Sequence, residues 1–176
     1  MATYTHYHNN LMARFWDYRK QCFAGREDLF DMKHDGRRSP QGVYKSPPVF
    51  LKESGDENVL LTPLLSNDQR REVLGDPSHH RHYRFPSMSS SQALTASVFG
   101  NLKALNKLNL LTGIRDAETG LPVFTDPAGK MPQPCLVEQT IKNLLDERTP
   151  TNLDVMFGDE GLTAGYRIVV ECKLTE

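Results

Sequence analysis

Two carboxylates and an amine near the C-terminal end are the side chains best equipped for chemistry. Asp154 lies within Thr151-Asn-Leu-Asp154-Val-Met-Phe157, and Glu171 and Lys173 close the run Tyr166-Arg-Ile-Val-Val-Glu171-Cys-Lys173. Read as two strands, these segments send alternate side chains to opposite faces. Glu171 and Lys173 then share a face about 6–7 Å apart, at about 3.3 Å per residue, while Cys172 points the other way. With Asp154 on the same edge of the sheet, two acids and an ammonium converge, the minimum equipment for metal-assisted phosphodiester hydrolysis. Magnesium needs only one or two carboxylates beside its waters and substrate oxygens. Lysine adds a compact positive charge for a phosphate oxygen or an attacking water.

A Glu-x-Lys alone carries little weight, since average composition yields roughly 0.6 such triplets in a chain of this length. Its context is more specific. The β-branched run Ile168-Val169-Val170 fits a buried strand, and charges appended to such a strand need either compensation or a purpose. The plain alternative is a structural Glu171–Lys173 ion pair.

The elements that must position these residues follow from pattern. Leu11, Phe15, Tyr18 and Cys22 predict a helix over 9–24, with Arg14, Arg19 and Lys20 on its wetter face and Gly25 as its stop. Ser66, Asn67 and Asp68 offer caps for a helix running to about Leu74, before Gly75. After Ser89-Ser-Ser91, the stripe Leu94, Val98, Leu102 and Leu105 predicts the strongest helix. Its small residues Ala93, Ala96, Ser97 and Gly100 would admit a close neighbour. Residues 113–134, rich in Gly and Pro, read as loop or hairpin. Residues 135–145 suit a short amphipathic helix or a strand. The fold class expected is α+β (or α/β), with helices packed on a short mixed sheet. Residues 1–60 would form an N-terminal helix and basic arm, and 61–176 the core, as one structural domain overall.

Composition narrows the partners. The 176 residues carry a net charge of −1, unevenly spread: residues 1–52 hold nine Lys/Arg and five Asp/Glu, and residues 116–176 five and eleven. A basic front and an acidic back suit a protein that grips phosphates with one part and cations with another. Arg14, Arg19, Lys20, Arg70 and Arg71 are candidate backbone contacts, though each reads equally as a solvated charge. No stretch approaches the roughly 20 apolar residues of a membrane span, and no secretory signal opens the chain, so the expected location is cytoplasmic. The odd, widely spaced Cys22, Cys135 and Cys172 read as reduced thiols. His79-His80-Arg81-His82 invites a metal reading, but adjacent histidines do not share a strand face, and a polar loop is the better reading.

Two segments together resemble a known family. Ser91-Gln92-Ala-Leu…Phe99-Gly100-Asn-Leu102, followed by Thr151-x-x-Asp154 and Glu171-Cys-Lys173-Leu-Thr-Glu176, is similar to the PD-(D/E)XK nuclease superfamily. More narrowly it resembles a bacterial restriction-endonuclease-like group in which a Ser-Gln-bearing helix precedes the acidic strand pair. The resemblance covers roughly residues 88–108 and 148–176. It implies a core of α-β-β-β-α-β order and cleavage of nucleic acid, DNA being the expected substrate, with Mg²⁺ or Mn²⁺. By position it makes Asp154 and Glu171 metal ligands and Lys173 the catalytic lysine. It also makes Gln92 a second catalytic residue on the first core helix, and Glu138 a weaker candidate should 135–145 be the first core strand. Two departures stand out. Asp154 follows Asn152-Leu153 rather than proline. The chain stops directly after the motif, so the covering C-terminal elements are expected to be missing, or to come from the N-terminal region, a second copy or another partner chain. The alternative is a catalytically inactive nuclease-like fragment, or a module that binds nucleic acid or protein.

Overall fold

In a computed structural model the chain is described over residues 4–34, 36–75, 81, 83–141, 151–158 and 167–172. It folds as two compact units: residues 1–60 with 80–93 and 173–176, and residues 61–79 with 94–172. The mixture of helices with a small antiparallel sheet places it in the α+β class.

The first unit is built around helix α1 (Tyr4–Cys22), which starts earlier than its pattern predicts. Its buried face is also turned from the predicted stripe. Met12, Trp16 and the following Phe23 are buried, whereas Tyr18 and Cys22 are exposed. Burying the indole settles the rotation, because aromatic rings carry the largest apolar area. That turn draws Arg19 off the wet face. Its guanidinium lies 5.0 Å from the Trp16 ring centroid and 4.3 Å from that of Phe30. Burial consequently pulls the Arg19 pKa below its ordinary value, against the opposing pull of Glu27. Gly25 ends the helical region at φ +78°, a conformation that costs glycine nothing. Beyond α1, Phe23, Phe30, Phe50 and Met88 form the core, fastened by the isolated bridges Phe30↔Phe50 and Val49↔Ser87.

The second unit carries helix α2 (Asn67–Leu74), whose start is a full capping box. The Ser66 hydroxyl accepts from the Gln69 amide, and the Gln69 side chain accepts from the Ser66 amide, so two orphan donors are satisfied at once. The Ser-Gln segment forms helix α3 (Ser91–Thr95), a π-helical turn (Ala96–Gly100) and helix α4 (Asn101–Ala104) in succession. Ser90 caps its start by accepting from the Ala93 amide. Gly100 admits α2 as closely as its size allows: a β-carbon there would sit 2.9 Å from Val73 Cγ1. Gln69 also donates to the Ala104 carbonyl at 2.6 Å. Asn101 donates to the Ser97 carbonyl and accepts from the Thr62 amide.

Three strands follow: β1 (Cys135–Ile141), β2 (Thr151–Phe157) and β3 (Ile168–Val170), in the order β1-β2-β3 and antiparallel throughout. The ambiguous segment at 135 is therefore a strand, and among the described residues the sheet is antiparallel rather than mixed. One face of the sheet is the core. Cys135, Val155, Phe157 and Cys172 are buried there with Phe99, Leu111 and Phe124, and Val137, Ile168 and Val170 pack against them. Residues 114–123 form a hairpin closed by the Arg115↔Pro122 bridge.

Candidate metal centre on the sheet

Strand alternation places the charged groups on the face opposite that core. Cys172 is buried and Glu171 exposed, as a two-residue repeat demands. The β2–β3 ladder pairs Phe157↔Ile168, Met156↔Val169 and Val155↔Val170. One step further in the same register, past the end of β3, would set Glu171 opposite Asp154. Directly opposed residues carry β-carbons about 4.5–5.5 Å apart on the same face, a spacing that lets two carboxylates share a cation. On the other side Val137↔Val155 and Gln139↔Leu153 pair, while Glu138 and Asp154 between them do not. Carried through both gaps, the register would put Glu138, Asp154 and Glu171 in one row, with Glu171 just past the end of β3.

The ladder ends where the row begins. Past Val170 the next amide available for pairing, that of Cys172, donates to Asp154 Oδ2 at 2.6 Å. A carboxylate has replaced a backbone carbonyl as the partner of the strand, and a hydrogen bond to an ionised acceptor is about twice as strong as a neutral one. This bond orients Asp154 from the segment that carries Glu171. The Cys172 thiol shows the field of the site. Burial pushes its pKa up first, the charges of Asp154 and Glu138 raise it further, and the Thr95 hydroxyl works the other way. That hydroxyl is fully buried and, among the described residues, has no other hydrogen-bond partner.

Glu138 holds a second peculiarity, a φ of +56° inside a strand. For a residue with a β-carbon the left-handed region costs about 1–2 kcal/mol, and strain of this kind persists only where its surroundings enforce it. Like charges set opposite one another on a sheet are also destabilising. Glu138, Asp154 and Glu171 each already engage a partner. Among the described residues, no group of three or more His, Cys, Asp or Glu side chains is arranged to hold a metal by itself.

The four site residues drawn from the sequence thus have different fates. Asp154 lies on β2, and Glu171 directly follows β3. Gln92 lies half-buried on α3, within the first unit. Lys173 lies outside the described residues. Glu138, the weaker candidate, lies on β1, because 135–141 is a strand. No helix among the described residues is long and apolar enough to cross a membrane. Compared with known family profiles, curated proteins and solved structures, the chain matches none.

Proposed function

We propose that this chain is a divalent-metal-dependent nuclease that hydrolyses phosphodiester bonds, with DNA as its substrate and a restriction-endonuclease-like core. The observation that supports the reading is the register of β2 and β3, which, continued one step past Val170, would set Asp154 opposite Glu171. The donor set fits Mg²⁺ or Mn²⁺, because such ions take one or two carboxylates and complete their shell with water and substrate oxygens. That division of labour is compatible with a row that forms no complete protein cage. When bound, the ion supplies positive charge against the scissile phosphate and acidifies a water.

The chain's own residues do the rest. Asp154, oriented through the Cys172 amide, presents a fixed anionic wall. Glu171 closes the opposite side from the next strand. Lys173, two residues on, is the group assigned to steady the phosphate oxygens or orient the attacking water. Gln92 is assigned to the pocket on the resemblance of its Ser-Gln helix alone. A second reading, an inactive nuclease-like binding module, draws on the lack of a three-ligand group among the described residues.

Incubating supercoiled plasmid with the full chain and Mg²⁺ or Mn²⁺ tests both. The expected outcome is nicking or linearisation that falls on the order of 10²–10³-fold in Asp154→Ala, Glu171→Ala and Lys173→Ala, with far-ultraviolet circular dichroism unchanged. An inert wild type that still binds nucleic acid with steep salt dependence selects the module instead.

A further inference from the structure

Resting on the nucleic-acid reading above, we propose that Tyr83 and Arg84 of the first unit form a contact for single-stranded nucleic acid, the ring stacking an unpaired base and the guanidinium meeting a phosphate. The first observation is exposure. Tyr83 is 76% exposed, and Arg84 beside it is exposed too. Arg84 lies across the ring, 5.3 Å from its centroid, and its Nε donates to the Tyr83 hydroxyl at 2.8 Å. A π-face with a cation held on it is what sequence-tolerant single-strand binding uses.

The second observation is the rigidity of the support. Phe85, next in the chain, is buried under the Arg81 guanidinium, 4.5 Å from its ring centroid, and Arg81 is paired with Asp56. The Asn58 side chain donates to the carbonyls of both Phe85 and Ser87 at 2.7 Å. The Phe50 amide donates to the Pro86 carbonyl, and the Met88 amide to that of Pro48. A turn closed from the Ser87 amide to the Arg84 carbonyl sits on this base. The pair is presented from a fixed platform, which spares the ordering cost that a mobile loop would meet on binding.

The third observation is distribution. Arginine–aromatic stacks occur roughly once per 70–80 residues, about the size of this unit. Among the described residues, four arginines make five such contacts, and every one of them lies in the first unit. The surrounding sequence His79-His80-Arg81-His82-Tyr83-Arg84 interleaves cationic and aromatic groups.

Fluorescence anisotropy of a labelled single-stranded oligonucleotide, with the full chain in EDTA so that nothing is cut, tests the proposal. Tyr83→Ala is expected to raise Kd about 5–100-fold, and Tyr83→Phe to stay within about twofold, because stacking needs the ring and not the hydroxyl. Arg84→Ala is expected to weaken binding and to flatten the plot of log K against log salt by about 0.7, one single-strand phosphate contact. Trp16 fluorescence certifies that each variant is folded. Wild-type affinity in Tyr83→Ala, equal affinity for a duplex of the same sequence, or no binding by the wild type at low salt each overturns it. Plasmid cleavage on the same preparations separates the two claims. Tyr83-dependent binding without cleavage removes the nuclease alone, and cleavage with Tyr83-indifferent binding removes this contact alone.

Discussion

The two units reach stability by different means. In the first, Phe23, Phe30 and Phe50 stand with ring centroids 4.3–5.4 Å apart, arginines lie on the rings, and the backbone beyond α1 is held by single bridges and side-chain clamps. In the second, Phe99, Phe124 and Phe157 are spaced 5.7–6.2 Å apart over a continuous antiparallel ladder. A ladder fixes which residues oppose one another, because a slip of one position would exchange the faces. Turns and clamps fix where one side chain is presented. The proposed metal-binding acids accordingly lie at the ladder and its end, and the proposed base-stacking pair sits beside a clamped turn.

The largest effect should come from the ladder's core. Phe157→Ala removes a ring with no exposed surface and is expected to cost about 3–5 kcal/mol in urea unfolding. A loss below 1 kcal/mol would mean that the sheet does not pack as described. In the first unit, Arg19→Leu removes a cation from two rings and is expected to cost about 1–2 kcal/mol. The single tryptophan, Trp16, reports this directly by fluorescence. An unchanged midpoint would show that the rings alone hold the unit.

Smaller still is the close approach of α2. Gly100→Ala trades an overpacking cost of about 1–3 kcal/mol against a helix-propensity gain of about 0.5–1 kcal/mol, so a net loss of about 1 kcal/mol is expected. In the Val73→Ala background that loss should vanish or reverse. A double-mutant cycle with no coupling would contradict the contact. Finally, burial raises the thiol pKa of both Cys135 and Cys172, whereas Cys22 is exposed. One thiol per chain should react quickly with a disulfide reagent near pH 8 and two slowly. A thiol whose folded pKa lies above its unfolded value favours the folded state below the unfolded pKa. That contribution is lost as pH climbs from about 9 through the raised values.

Much of the local structure was legible in the sequence, for reasons these contacts make plain. Ser66, Gln69 and Gly75 encode the ends of α2 by hydrogen-bonding rules that need no tertiary partner. The small residues around Gly100 announced a close neighbour, and Val73 is that neighbour. Alternation alone separated Glu171 from Cys172. What was not legible depended on competition between distant parts. The face of α1 is set by Trp16 and Met12 in place of Tyr18 and Cys22, which drew Arg19 onto aromatic rings. Segment 135–141 could not be assigned from its own pattern, because its strand state comes from pairing with β2. No local signal marks the left-handed backbone of Glu138. Tyr83 and Arg84 carried no signal in the sequence, since exposure and a held base are properties of the folded chain.

The claim that Asp154 and Glu171 flank a common cation is most directly met by titrating Mn²⁺ and following its free signal by electron paramagnetic resonance. The account predicts that wild-type chain removes ion from the free pool, and that Asp154→Ala and Glu171→Ala, both folded, each lose that site. Equal uptake by the wild type and both variants would contradict it.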